Sequence, residues 1–177
     1  MQTVLRHAYI LTQDGKQTIY TDGALVIENE TIAYVGEDSR IPSRYASFPT
    51  LDCSDCLLMP SLINCHTHTG MVAFRSLGDD IADRLRRFLL PLERACMTPH
   101  LAKASAALAI AEMQLSGIGC AVDMYYFEKE LAKLATSMQF RLYGGETIIE
   151  NSPNCTTVDE ALAYAKAIPN TKYYQRI

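Results

Sequence analysis

The chain is 177 residues long, 49% hydrophobic and 20% charged, with a formal net charge of −4. That balance fits a globular protein with a real core and excludes a disordered chain. It supplies no basic stripe for nucleic acid or an anionic membrane, so a small neutral or cationic ligand is the expected partner.

The segments 3–11, 23–28 and 31–35 are short, rich in β-branched and aromatic residues, and separated by Asp14-Gly15, Asp22-Gly23 and Asn29-Glu30. They predict a small antiparallel β unit over residues 1–56. His7 lies inside it and reads as an ordinary strand residue. No charged start followed by a long apolar run opens the sequence, and no stretch approaches a membrane span, so the expectation is a cytoplasmic protein. Six cysteines at irregular positions then read as free thiols. Cys53-x-x-Cys56 has spacing for zinc or redox chemistry, but no second pair follows at ribbon spacing.

Residues 57–70 are Leu-Leu-Met-Pro-Ser-Leu-Ile-Asn-Cys-His-Thr-His-Thr-Gly. On a strand, side chains two positions apart share a face, so His66 and His68 can aim at one point, as two ligands of a metal ion would. A solvent-exposed pair would look the same over three residues. Position favours the metal: the pair ends an apolar run, at the carboxyl end of a buried strand, where α/β folds place their sites.

Beyond it, Asp79 to Met97 has helical spacing interrupted by Pro91, and Thr98-Pro99 caps a helix that stops at Gly117. Ile118 to Met124 reads as a strand, Phe127 to Met138 as a helix and Phe140 to Tyr143 as a strand. Thr157 to Glu160 has capping-box spacing for a helix through Ile168. Strands alternating with helices predict a parallel sheet or part of a barrel over residues 57–168. Residues 169–177 are expected to be an irregular tail. His100 follows Thr98-Pro99 at a helix start, away from any strand end, and is not assigned to the metal.

Pro60-Ser61-Leu62-Ile63-Asn64-Cys65-His66-Thr67-His68 resembles the first barrel strand of the amidohydrolase superfamily. Arg75 to Asp80, Leu90-Pro91-Leu92-Glu93, Ala109 to Met113 and Val122-Asp123-Met124-Tyr125 are similar to landmarks of its methylthioadenosine/S-adenosylhomocysteine deaminase and chlorohydrolase branch. The resemblance implies an α/β fold: about three βα units of a (β/α)8 barrel, preceded by the β unit as one half of a composite β-sandwich. It implies one divalent metal, usually zinc and sometimes iron, with His66 and His68 as two of its ligands. The other ligands of such enzymes are histidines of the fifth and sixth strands and an aspartate of the eighth. The metal makes hydroxide available near neutral pH, and hydroxide attacks a ring carbon bearing an amino or chloride leaving group.

The glutamate matching Glu93 contacts ribose hydroxyls in nucleoside deaminases of the branch; the alternative is a solvated helix carboxylate. Asp123 resembles a structural position. Ser61 stands where most members have glycine, which asks for an ordinary backbone there. Glu146 lies where some members carry an arginine for an anionic substrate group, which points toward neutral or cationic aminated rings.

A complete (β/α)8 barrel takes about 250 residues, more than follow the β unit. The sequence therefore reads as the N-terminal portion of a longer hydrolase, arising by truncation, frameshift or a split gene, and inactive alone. No catalytic residue is assigned. A complementing C-terminal half or a homo-oligomer is the expected protein partner, and a nitrogen heterocycle the expected substrate. The alternative is a non-catalytic remnant or interaction module that binds no metal.

Overall fold

The computed structural model describes residues 2–177 and divides into two compact units, one ending at Pro60 and the other spanning Ser61–Ile177. The first is a sheet of β1 (Gln2–Leu11), β2 (Ile19–Glu28), β3 (Thr31–Glu37), β4 (Thr50–Asp52) and β5 (Leu57–Leu58). The meander β1–β2–β3 is antiparallel, as its turn residues demand. The sheet as a whole is mixed, because β4 and β5 both run parallel to β1. The connection from β3 to β4 carries the chain back to the starting edge, and two 3-10 turns, Asp38–Arg40 and Ser43–Tyr45, occupy it. Val4, Val26 and Tyr45 form one small core, and Ala8, Ile10 and Cys53 another.

The second unit is a four-stranded parallel sheet in sequential order: β6 (Leu62–Thr67), β7 (Ile118–Tyr125), β8 (Arg141–Glu146) and β9 (Tyr174–Arg176). The crossovers contain α1 (Leu90–Cys96), α2 (Pro99–Leu115), α3 (Glu128–Ser137) and α4 (Val158–Lys166). Among the described residues this is three complete βα units plus the strand of a fourth, an open part of a barrel. The stretch expected to be an irregular tail contains β9. Tyr174 is fully buried, and its hydroxyl donates to Glu128 Oε2 at 3.0 Å, so an anchoring ring and the pairing with β8 order a segment without apolar periodicity.

The caps form where the sequence places them. Thr98 Oγ1 accepts from the Leu101 amide at 3.2 Å, and Thr157 and Glu160 close a reciprocal capping box. The helix expected over Asp79–Met97 is shorter. Helical backbone begins with one wide turn, Leu85–Leu89, that runs into α1, and Pro91, the second residue of α1, follows that wide turn without a backbone donor to return to it. Upstream, Arg84 donates to the Leu77 carbonyl at 2.7 Å and pairs with Asp79 at 3.2 Å, which holds the chain in turns.

The core of this unit lies between the sheet and its helices. Helix α2 presents Ala102, Ser105, Ala106, Ala109, Ile110 and Met113, a stripe at i, i+3, i+4, i+7 spacing whose small residues admit close packing. The opposite sheet face is bare: Ile63, Met124 and Tyr143 are 62%, 47% and 42% exposed. β6 is therefore not the buried strand its composition predicts. It is an edge strand with helices on one side only. No helix is long and apolar enough to cross a membrane among the described residues.

Candidate metal and substrate site

β6 carries an extra residue. Asn64 stands opposite Ala121 and Thr67 opposite Asp123, so three steps along β6 match two along β7. Ala121 and Asp123 are buried on the helix side of the sheet, and Asn64 contacts the Met113 sulfur of α2. In a regular strand His66 would follow Asn64 to that same side. The bulge between them reverses the alternation and turns His66 to the bare face.

His68 lies one residue past the end of β6, and its ring centroid is 5.0 Å from that of His66, with the planes at 79°. The pair thus meets at the carboxyl end of the strand. His68 Nδ1 is 2.7 Å from the Met124 carbonyl oxygen. A carbonyl can only accept, so Nδ1 carries a proton, and in the neutral imidazole Nε2 keeps a free lone pair. That is the tautomer a metal ligand requires, fixed by a backbone group.

Asp123 holds this corner together. Its carboxylate accepts from the Thr69 amide at 2.9 Å, the Thr69 hydroxyl, and the Thr67 hydroxyl at 3.0 Å. Thr67 and Thr69 flank His68, so one buried carboxylate clamps the backbone on either side of that imidazole. Burial pushes the Asp123 carboxyl up from its ordinary value, and these donors pull it back. Asp123 is placed as a support.

Glu93, on α1, is only 4% exposed. It is not a solvated helix carboxylate. The Tyr125 hydroxyl, at the end of β7, donates to Glu93 Oε1 at 2.6 Å, and the Tyr125 ring lies 6.4 Å from that of His68. Burial raises the Glu93 carboxyl, while the Tyr125 hydrogen bond, and to a lesser extent the nearby His68, lower it. Gly70 makes room for this arrangement: a Cβ there would stand 2.4 Å from the Tyr125 ring. A cleft next to the pair is lined by His68, Met71, Phe74, Arg75, Asp79 and Arg84.

Glu146 departs from expectation. Its carboxylate accepts from the amides of Phe127 and Glu128 at 3.2 and 2.8 Å and from Asn154 Nδ2 at 2.7 Å. It caps the start of α3, where Phe127 has a left-handed backbone and no side-chain cap of its own. It is turned into the fold and carries no information about substrate charge.

Sequence reasoning missed Glu128, Tyr125 and the cluster around His7. Glu128 is completely buried, and burial, with Asp123 and Glu146 nearby, drives its carboxyl well above the ordinary range. His7 sits in a bulge of β1 with Nδ1 3.1 Å from Asp22 and 3.7 Å from Asp38. These three are the sole grouping of at least three potential metal ligands among the described residues. Arg6 already engages both Asp38 oxygens, so the cluster is an ion-pair network. His100 is exposed in the first turn of α2, and no such grouping includes His66 or His68.

Parallel strands backed by helices, with paired imidazoles at the carboxyl ends, make up a sector of a (β/α)8 barrel. The chain belongs to the amidohydrolase family, whose sequence profile matches residues 57–174. It is 36% identical over 171 residues to a 5-methylthioadenosine/S-adenosylhomocysteine deaminase of Syntrophus aciditrophicus, a match that covers 95% of this chain and 39% of that one. A zinc-bound adenosine deaminase from Xanthomonas campestris superposes with a TM-score of 0.90 at 26% identity, over 98% of this chain and 41% of that one. An atrazine chlorohydrolase from Arthrobacter aurescens, solved with zinc, shares the fold with a TM-score of 0.77 at 18% identity, over 98% and 45% of the two chains. The chain thus spans about two fifths of the length of the curated relatives it matches.

Proposed function

We propose that this polypeptide is the metal-holding N-terminal sector of a hydrolase that removes an amino or chloride group from a nitrogen heterocycle. The observation that carries the reading is the His66–His68 pair with Nε2 of His68 left free by the Met124 carbonyl. The donor set suits zinc, for which neutral imidazole is a preferred ligand, and iron as well. A bound divalent metal would supply a water acidic enough to be hydroxide near neutral pH.

The chain's own residues do the rest of the work on this side of the site. The Met124 carbonyl fixes the His68 tautomer, and Asp123 fixes the backbone around it. Glu93, held by Tyr125, presents an acceptor for substrate hydroxyls such as those of a nucleoside sugar. The resemblance to a deaminase of thioether nucleosides supports that assignment.

A second reading rests on two facts: no third ligand accompanies the histidines among the described residues, and one sheet face is bare. On that reading the 177 residues alone are a non-catalytic remnant or interaction module without metal. Metal analysis and an ammonia-release assay on adenosine-type nucleosides distinguish the two. Both are run on the chain alone and on the chain mixed with the part of the Syntrophus aciditrophicus deaminase that it does not match. The proposal expects zinc and turnover in the mixture, both lost on His66→Ala. A folded mixture that holds zinc but turns over no nucleoside or chlorinated ring overturns it.

A further inference from the structure

The Cys53-x-x-Cys56 pair is not used by the metal site, and the fold gives it a defined geometry. The Cys56 amide donates to the Cys53 carbonyl at 2.9 Å, closing a four-residue turn whose ends lie within about 7 Å of one another. Disulfides span Cα separations of about 4.4 to 6.8 Å. Both ends of the turn are fastened to β1: the Cys53 amide donates to the Arg6 carbonyl at 2.8 Å, and the Tyr9 amide donates to the Cys56 carbonyl at 3.0 Å. Inside it, the Ser54 amide and hydroxyl both bond Asp52 Oδ1, at 3.1 and 2.6 Å.

The two thiols differ in access. Cys53 is buried against Ala8 and Ile10, and Cys56 is exposed. Burial pushes the Cys53 thiol up, and Cys56 adds to the shift. No helix begins at the pair, so it lacks the dipole that makes such motifs strong oxidants.

We propose that Cys53 and Cys56 form a dithiol site that exchanges with low-molecular-weight disulfides and closes an intramolecular disulfide across the β4–β5 turn. The exposed Cys56, as thiolate, attacks one sulfur of the small disulfide and expels one thiolate. Cys53 then attacks the Cys56 sulfur of the mixed disulfide and expels the second. The two protons of the protein thiols end on the two released small thiols; the protein is oxidised by two electrons and the small disulfide is reduced.

The test incubates the chain with glutathione disulfide, traps free thiols by alkylation and maps the peptides by mass. The expected result is a peptide carrying both cysteines, lighter by two hydrogen atoms and free of glutathione. In Cys53→Ser the same peptide should instead keep one glutathionyl group on Cys56. In Cys56→Ser, a change at an exposed position, Cys53 should stay reduced. A wild-type peptide that retains glutathione on Cys56 overturns the proposal. So does one that stays fully alkylated while the exposed Cys65 and Cys96 react, or a glutathionylated Cys53 in Cys56→Ser.

Discussion

Tyr125 donates its hydroxyl proton to the Glu93 carboxylate across 2.6 Å inside the fold, linking the end of β7 to α1 beside the histidine pair. Tyr125→Phe removes the one donor that offsets burial of that carboxyl. The Glu93 carboxyl should then titrate at higher pH, and stability at neutral pH should fall by about 1 to 3 kcal/mol, the range for a buried acceptor that loses its partner. Carbon-detected titration of the glutamate carboxyls and urea unfolding check the two parts.

Gly70→Ala tests the same contact from the other side. A methyl group 2.4 Å from the Tyr125 ring must displace the ring or the backbone. The cost should be about 1 to 3 kcal/mol, as for other overpacked interiors. Thermal unfolding and the near-ultraviolet signal of the tyrosines report it, and adding Tyr125→Leu should restore part of the loss.

Asp123→Ala takes an acceptor from three donors at once. Unfolding free energy should drop by about 3 kcal/mol or more, because hydrogen bonds to a charged group contribute about 1.5 to 3 kcal/mol each. Asp123→Asn, which keeps one acceptor, should lose less. On the proposed function, zinc binding by the complemented mixture should weaken in both variants, read by competition with a chromogenic chelator.

Glu128 predicts a pH dependence. Its folded carboxyl titrates well above the ordinary 4.5, so above pH 4.5 the unfolded chain releases a proton that the folded chain keeps. The unfolded state then binds fewer protons, and stability falls as pH rises from 4.5 toward the elevated folded value. Asp123 and Glu146, also raised by burial, add to the slope. Glu128→Gln should flatten it, leaving stability unchanged near pH 4 and higher than wild type at pH 8. Equal slopes for the two proteins in urea titrations across that range would reject this account.

The local signals were legible in the sequence. Thr98, Pro99 and Thr157 to Glu160 mark helix starts through groups within one turn of each other, and His66 and His68 mark the strand end. What escaped depends on distant partners. The strand at Tyr174 is set by Glu128 and by Gly144, where a Cβ would stand 2.3 Å from both the glutamate oxygen and the tyrosine hydroxyl. The role of Glu146 is set by the open amides of Phe127 and Glu128, and the burial of Glu93 by the reach of Tyr125. The mixed sheet follows from where the β3–β4 connection returns, which no local pattern encodes.

The bulge in β6 means that the two imidazoles are addressed by counting as much as by identity. A strand that kept every residue but lost the bulge would set His66 opposite Asp123 and turn it inward toward α2. Transplanting His-Thr-His onto an unbroken strand of another scaffold would inherit the imidazoles without their direction. Anyone grafting this centre must carry the irregularity with it.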